Sequence, residues 1–268
     1  MMNLVRKLFY LTILLLTFVF GGCGNFSGNY EEIESSTSTE NTSTTSSTIK
    51  YLTVGGSGTV YSSADGITWI ERTSGTSNSL NDVVYQNGDY MSVGESGTIV
   101  ESSDGITWIT RATGTSNKFS GVTYGNSLYV ALGDSGLIQT STPSTSWINR
   151  TSGTTNNLIG TTYGNELFVA FGASGTILTS TDGTSWTQRT SGSSSNLNDV
   201  IYGNGLYVVI GASGTLLTSS DGSSWTERTS GVTENLNGIS YGNELYVVVG
   251  TSGTIITSSD GTSWTERT

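Results

Sequence analysis

Serine and carboxylate residues are the side chains of this sequence that could carry out chemistry, and both recur at fixed intervals. Gly133-Asp134-Ser135-Gly136 would present a serine hydroxyl in a tight turn, as a nucleophile for acyl transfer requires. The same slot reads Gly-Ala-Ser-Gly at 172–175 and 211–214 and Gly-Glu-Ser-Gly at 94–97. The sequence has no His, the usual base that activates such a serine. These turns are therefore predicted to be structural.

Other kinds of catalytic centre find equally little support in the composition. With no His and one Cys, the usual zinc ligands are almost absent, and no Gly-rich turn is followed by the Lys of a phosphate-binding loop. We predict no metal and no cofactor. Composition leaves open the paired carboxylates of a glycoside hydrolase. Such a site needs different residues from different parts of the chain, whereas the units described below are nearly alike, so the sequence favours a protein that is not an enzyme.

The charge of the chain excludes one class of partner. The formal net charge is −11. Without Arg6 and Lys7, which lie in the leader described below, 8 basic residues remain against 21 acidic ones. A body this acidic has no phosphate-binding face, so nucleic acid is not an expected partner.

A repeat of 39 residues organises everything after the leader, and such a period fixes the architecture. The six tryptophans mark it: Trp69, Trp108, Trp147, Trp186, Trp225 and Trp264. An arginine follows each of them three residues later: Arg72, Arg111, Arg150, Arg189, Arg228 and Arg267. Because residues three apart on a strand point to opposite faces, we expect each Arg to lie on the face of the outermost strand opposite to its Trp and to make a structural pair there.

One unit shows why the repeat predicts a propeller blade. Leu197 to Tyr202 is the first strand, and Leu206 to Ile210 is apolar throughout, as expected of a strand covered on both faces. Thr215 to Ser219 and Ser224 to Thr229 follow as the third and fourth strands, with the turn signal Asp221-Gly222 between them. Four short antiparallel strands, repeated six times, predict an all-β, six-bladed β-propeller. A solenoid of stacked sheets is the alternative.

The hairpin between the third and fourth strands carries a recognisable motif. It reads Ser-Ser-Asp-Gly-Ile-Thr-Trp at 102–108 and Ser-Thr-Asp-Gly-Thr-Ser-Trp at 180–186. It resembles the Asp-box of sialidase-type propellers and, more closely, the repeat of photosystem II assembly-factor-like propellers, over residues 51–268. It lacks the extra residue between Asp and Gly, and the third unit has Pro143-Ser144 instead.

The resemblance implies a structural hairpin whose carboxylate accepts backbone N–H bonds and whose Trp packs in the interior, under the blade. Asx turns use Asp in the same way. The aspartates concerned are Asp65, Asp104, Asp182, Asp221 and Asp260. We expect them to be scaffold rather than ligands. A glycoside hydrolase of sialidase-like architecture remains the alternative function.

Departures from the repeat are where a ligand site is expected. The variable slot of the Gly-x-Ser-Gly turn holds Glu95 and Asp134 in adjacent units, and the links between units hold Asn117 and Asn156, with Lys118-Phe119 as an unusual pair. In a propeller these turns and links share one face. We therefore predict a polar binding patch from Glu95, Asp134, Lys118, Phe119, Asn117 and Asn156, against the alternative of neutral surface variation.

The first 23 residues predict export and lipidation. Arg6 and Lys7 precede an apolar run from Leu8 to Phe20, too short to span a bilayer comfortably. It ends Phe20-Gly21-Gly22-Cys23, which resembles a bacterial lipobox in which Cys23 takes a lipid. We predict a signal peptide over 1–22, a lipidated Cys23 with a Ser/Thr-rich tether over 23–49, and a propeller over 50–268. An ordinary secretory signal with an incidental Cys is the alternative.

The expected protein is a monomer anchored by its N-terminal lipid at the bacterial outer membrane or cell surface. It would bind or scaffold an envelope protein, as an assembly factor does, or a glycan through several equivalent sites.

The first unit raises a question of ring closure, because it shows only its last three strands, from Tyr51. Counting back one period places the missing strand within 41–49, in the Ser/Thr tract, where it would cover an open sheet edge. A gapped ring that exchanges strands between molecules is the alternative.

Overall fold

The computed structural model describes residues 48–86, 88–143 and 145–267. The described residues form six antiparallel sheets, so the prediction of an all-β, six-bladed propeller is confirmed. In blade 1 the strands are β1 (Tyr51–Val54), β2 (Thr59–Ser63) and β3 (Ile70–Thr73). The missing first strand of this blade was predicted within 41–49, mostly outside the described residues.

Blades 2 to 6 each have four strands in the order of the chain. Blade 2 contains β4 (Leu80–Gln86), β5 (Asp89–Gly94), β6 (Ile99–Ser102) and β7 (Ile109–Arg111). Blade 3 contains β8 (Phe119–Gly125), β9 (Leu128–Gly133), β10 (Ile138–Ser141) and β11 (Ile148–Arg150). Blade 4 contains β12 (Leu158–Gly164), β13 (Leu167–Gly172), β14 (Ile177–Ser180) and β15 (Thr187–Arg189). Blade 5 contains β16 (Leu197–Gly203), β17 (Leu206–Gly211), β18 (Leu216–Ser219) and β19 (Thr226–Glu227). Blade 6 contains β20 (Leu236–Gly242), β21 (Leu245–Gly250), β22 (Ile255–Ser258) and β23 (Thr265–Arg267).

Each second strand leads to the third through one turn of 3-10 helix. These turns are Gly56–Gly58, Glu95–Gly97, Asp134–Gly136, Ala173–Gly175, Ala212–Gly214 and Thr251–Gly253. No helix in the described part of the chain is long and apolar enough to cross a membrane.

The up-and-down order of the strands divides the turns between two faces. The 3-10 turns and the links between blades lie at one end of the strands, which we call the link face. The hairpins between the first and second strands, and those that contain the repeated aspartates, lie at the other end, which we call the hairpin face. The hairpins that contain the repeated aspartates, between the third and fourth strands, are called the Asp turns below.

The core lies between neighbouring blades. In β17 the side chains of Tyr207, Val208, Val209 and Ile210 are all fully buried, because alternate residues face the blades on either side. Tyr207 and Val209 pack with β13 of blade 4, and Val208 and Ile210 pack with β20 and β21 of blade 6. The second strand is therefore apolar throughout because a neighbouring blade covers each of its faces, as the sequence predicted.

The outer sides of the first and last blades are less covered. Leu245 of β21 is 39% exposed, whereas its counterparts in blades 3 to 5 are less exposed, and Val247 and Val249 are only half-buried. On blade 1, Tyr61 and Trp69 are 36% and 37% exposed. The two ends of the blade array thus each present a partly apolar sheet face.

Candidate functional site

The Asp turns are built as closed hydrogen-bonded loops. In blade 4 the Oδ1 atom of Asp182 accepts hydrogen bonds from the backbone N–H groups of Thr184 and Ser185, both at 2.8 Å. The Ser180 hydroxyl donates to the same oxygen at 2.9 Å, and Gly183 takes a positive φ of 70° that glycine allows at little cost. The carboxylate is therefore occupied by its own hairpin.

The same bonds fix the charge of these aspartates. Backbone N–H donors lower the pKa of Asp65 and of Asp104 to about 2, because they stabilise the ionised carboxylate. The pKa values of the other three aspartates of this set are also lowered by backbone donors. The five Asp turns thus put five exposed, permanently negative groups on the hairpin face.

Blade 3 closes the same hairpin without a carboxylate. Thr145 donates its backbone N–H to the Thr142 carbonyl at 3.1 Å, and its hydroxyl accepts the Thr142 N–H at 3.1 Å. Ser141 donates its hydroxyl to the Thr145 carbonyl at 2.9 Å. Hydroxyl groups therefore replace the aspartate that the sequence lacks at Pro143.

The repeated tryptophans are buried in blades 2 and 3 and half-buried in blades 4 to 6. Trp108 and Trp147 are 8% exposed, and the Trp264 ring lies 6.1 Å from that of Tyr246. The Nε1 atom of Trp264 donates to the Gly261 carbonyl at 3.1 Å. Trp69 differs, because it is exposed on the uncovered side of blade 1; there the expectation of deep burial is wrong.

The repeated arginines are structural pairs, as predicted. In blades 4, 5 and 6 the arginine Nε donates to a threonine hydroxyl on the neighbouring third strand, at 2.8, 2.9 and 2.7 Å. In blade 2 a glutamate occupies the threonine position, and Arg111 forms an ion pair with Glu101. These guanidinium groups stay on the outer part of each blade.

At three blade junctions one asparagine holds the link face together. Asn157 accepts the Ser135 N–H on its Oδ1 at 2.9 Å, and its backbone carbonyl accepts the Ala173 N–H at 2.9 Å. Asn196 and Asn235 make the same two bonds at the next two junctions. The turns and links therefore share a face, and one side chain connects two successive blades there.

Lys118 replaces this asparagine at the junction of blades 2 and 3. A lysine cannot accept the turn N–H, and its Nζ instead lies 3.3 Å from the Glu95 Oε1 atom. The two charged departures from the repeat thus pair with each other across the junction where the amide bond is lost. Their charges are largely neutralised, which weakens the case for a ligand between them.

The other residues of the predicted patch are dispersed. Phe119 is fully buried, in the core position that Leu158 and Leu197 hold in other blades, and it offers no surface to a ligand. Asn156 donates to the Thr176 hydroxyl at 2.8 Å. Leu137 stands where Thr176 does, so Asn117 has no such partner and is exposed, and Asp134 is half-buried. The structure brings Glu95 and Lys118 together and does not gather the six residues into one pocket.

Two buried aspartates were missed by the sequence reasoning. Asp82 and Asp199 are both 5% exposed, on the first strands of blades 2 and 5. Asp82 accepts the Val122 N–H of the next blade at 2.8 Å, and Asp199 accepts the Ile239 N–H at 2.9 Å. Burial raises the pKa of Asp82 to about 8 and that of Asp199 to about 7. The motif Leu-Asn-Asp-Val, present at 80–83 and 197–200, was the available signal.

A ring of tyrosines on the first strands was missed as well. Its members, one from each of blades 2 to 6 at the same register, are Tyr85, Tyr124, Tyr163, Tyr202 and Tyr241. We call them the tyrosine ring. Each stands next to the end of its strand on the hairpin face and contacts the aromatic residue five positions later, with ring centroids 4.4–4.7 Å apart.

In blades 3, 4 and 5 the glycine that ends the first strand makes room for the tyrosine of the next blade. A β-carbon at Gly125 would collide with the Tyr163 ring, and one at Gly164 would collide with Tyr202. The Tyr-Gly-Asn sequence repeated every 39 residues was the signal for this arrangement.

Among the described residues no group of three or more potential metal ligands is found.

Together, the blade order, the interior second strands and the closed Asp turns define the class of fold as a β-propeller. The chain matches no known protein-family model and no curated protein.

Solved structures share the fold. YCF48 bound to D1 peptide has a TM-score of 0.62 at 19% identity, over 77% of this chain and 73% of that one. YCF48 from Cyanidioschyzon merolae has a TM-score of 0.60 at 17% identity, over 77% and 76% of the two chains. A catalytically inactive virginiamycin B lyase from Staphylococcus aureus with quinupristin has a TM-score of 0.69 at 12% identity, over 80% and 82%. At these identities the likeness shows the propeller fold alone.

Proposed function

We propose that this chain is a propeller without catalytic activity that binds a protein partner at the bacterial envelope, to which an N-terminal lipid anchors it. The observation that carries the proposal is the use of the repeated polar side chains as scaffold. The aspartates close hairpins, the arginines bind the adjacent strand, and the asparagines of the link face join successive blades. What is left is a rigid frame with two differently charged faces, which suits recognition.

A protein partner is favoured over a glycan for a physical reason. A lectin with one site per blade would use the link asparagines. The side-chain oxygens of three of them, Asn157, Asn196 and Asn235, already accept hydrogen bonds from turn N–H groups. The fold likeness to YCF48 bound to D1 peptide supports a protein or peptide partner. The glycan alternative becomes an outcome of the binding experiment.

The binding experiment uses the full chain solubilised in mild detergent. It is crosslinked in envelope extract, the captured proteins are identified, and each is purified and titrated; a glycan array is probed in parallel. A purified partner that binds saturably, with an empty array, is the expected result. Array binding without any protein that survives purification would replace the protein partner with a glycan.

The anchor is tested at Cys23, which lies outside the described residues. The Cys23→Ala chain should leave the detergent-soluble membrane fraction for the periplasm or medium, and the wild type should incorporate a labelled lipid. A Cys23→Ala chain that stays in the membrane fraction, beside a wild type without label, would refute the anchor while leaving partner binding untouched.

A further inference from the structure

We propose that the tyrosine ring, together with the carboxylates beside it, binds a lysine or arginine side chain presented by a protein partner. The inference rests on the proposed function and assigns it to the hairpin face, near the propeller axis. The first strands of neighbouring blades contact one another, as strands around the propeller axis do, and the ring residues stand at the hairpin-face end of those strands.

The aromatic groups are partly open to solvent. Tyr85 is 47% exposed, and the other four ring members are half-buried. Each packs against the aromatic residue five positions later in its own blade, and three of them also lie against the glycine that ends the preceding first strand: Tyr163, Tyr202 and Tyr241. Tyr124, Tyr163, Tyr202 and Tyr241 also pack against the cores between the blades, so each leaves only part of its aromatic side chain open to solvent, at the same end of successive blades. Aromatic faces attract Lys and Arg cations through the negative charge of their π systems.

The hairpins next to the ring add unpaired negative charge. Asp89, Glu166 and Glu244 lie in the first hairpins of blades 2, 4 and 6, and the two glutamates are exposed. Among the described residues the ion pairs are Arg111–Glu101 and Lys118–Glu95, so within that part of the chain none of these three carboxylates forms an ion pair. A cation from another molecule would meet them uncompensated.

The rest of the hairpin face reinforces the selection. Its five Asp turns are ionised, and Lys50, at the start of β1, is the basic residue near them in the described part of the chain. The arginines are held on the outermost strands by their hydroxyl partners. Such a field attracts basic groups and repels phosphate and carboxylate ligands.

The link face lacks these properties and serves as the internal control. Its charged residues include the paired Glu95 and Lys118, and its exposed side chains are mainly Ser, Thr and Asn. Removing two carboxylates there changes the net charge as much as removing two at the hairpin face. A difference between the two changes therefore reports the site and not the total charge.

The experiment titrates the full chain in mild detergent with a labelled Gly/Ser peptide that carries three lysines, and with the same peptide acetylated on each lysine. Fluorescence anisotropy gives Kd at low and high salt. The lysine peptide should bind, the acetylated peptide should not, and Glu166→Gln with Glu244→Gln should weaken binding at least fivefold. The matched Glu95→Gln with Asp134→Asn chain should stay within twofold of the wild type.

The aromatic contribution is tested at one ring position. Tyr202→Leu should weaken binding at least threefold, whereas Tyr202→Phe keeps the aromatic face and should keep the affinity. Zero-length carbodiimide coupling of the bound peptide gives a second readout on the unmodified chain and should join its lysines to Glu166, Glu244 or Asp89.

No binding of the lysine peptide, equal losses for the two charge variants, or coupling confined to the link face would each overturn the site. If the purified partner of the proposed function still binds the Glu166→Gln and Glu244→Gln chain unchanged, this site is wrong and the proposed function stands.

Discussion

At the scale of single residues, the recurring aspartate has two opposite roles in this molecule. In the Asp turns, backbone N–H groups and an exposed position keep it ionised. On the first strands of blades 2 and 5, the same residue type is buried, and its pKa rises because the charged form is poorly solvated. The residue type alone does not determine which role an aspartate has; its burial and hydrogen-bond donors do.

Asp182 tests the first role. Asp182→Ala removes the acceptor of two backbone N–H bonds in an exposed hairpin, so we expect a loss of about 1 kcal/mol in the free energy of unfolding. Urea unfolding followed by tryptophan fluorescence measures it. Thr145→Ala in blade 3, where hydroxyls replace the carboxylate, is the matched change; unchanged stability in Asp182→Ala would show that the turn does not depend on the carboxylate.

Asp82 and Asp199 test the second role through pH. Their folded pKa values, about 8 and about 7, lie above the unfolded value near 3.9, so the folded state holds more protons between these limits. The stabilising contribution of these two groups should be fully present below about pH 4 and should be lost as pH rises towards about 8.

The groups that face Asp82 from blades 2 and 3 include backbone amides, and Asp199 adds a repulsive charge. The Asp turns titrate below this window and do not contribute to the slope. Urea unfolding from pH 5 to 8 should show the decline in the wild type and a flat profile in the Asp82→Asn, Asp199→Asn chain. Rising stability across that range in the wild type would contradict the assignment.

At the scale of the elements, the hairpins between the first and second strands show local strain that the sequence could have revealed. Glu166 and Glu244 have φ values of 59° and 61°, in the left-handed region, where blade 5 has Gly205. A residue with a β-carbon is strained in this conformation and glycine is not. Glycine also makes the unfolded chain more flexible, and this offsets part of the stability gained by removing the strain.

Glu166→Gly should therefore raise the free energy of unfolding by roughly 0.5–1 kcal/mol. The reverse change, Gly205→Glu, should lower it by a similar amount. Thermal unfolding of both variants, beside the wild type, provides the comparison. Lower stability in Glu166→Gly would mean that the glutamate makes a stabilising contact that outweighs its backbone conformation.

The elements themselves were largely predictable, and the candidate site was not. Strand periodicity and the Asp-Gly turns predicted the four strands of blade 5 to within two residues, because each blade repeats the same local signals. The pairing of Lys118 with Glu95 depends on residues 23 positions apart that meet only when two blades pack. Phe119 looked like an unusual surface residue because its core position is visible only beside Leu158 and Leu197 in the structure. The tyrosine ring followed the repeat too faithfully to stand out in a search for departures from it.

At the scale of the whole molecule, the two uncovered blade faces bear on ring closure. Leu245, on blade 6, and Trp69, on blade 1, are both more exposed than their counterparts in the interior blades. The prediction that residues within 41–49 complete blade 1 concerns mostly residues outside the described ones. Hydrogen exchange of the full chain as a monomer tests it: slow amides in that stretch are expected, and fast exchange throughout would leave blade 1 with three strands.

The two faces of the propeller have different proposed roles: the link face holds the blades together, and the hairpin face binds the partner. The link asparagines and the Lys118–Glu95 pair connect blades. The tyrosine ring and its neighbouring carboxylates face outward from the other end. A partner should therefore contact one end of the molecule.

Site-specific photo-crosslinking in living cells tests this most directly. A photoreactive amino acid is placed at Asn165 or Glu244 on the hairpin face, or at Ser174 or Ser213 on the link face, all exposed positions. A discrete crosslinked protein is expected from the hairpin-face positions and none from the link-face positions. Crosslinks from the link face alone, or no protein crosslinked from either face, would contradict it.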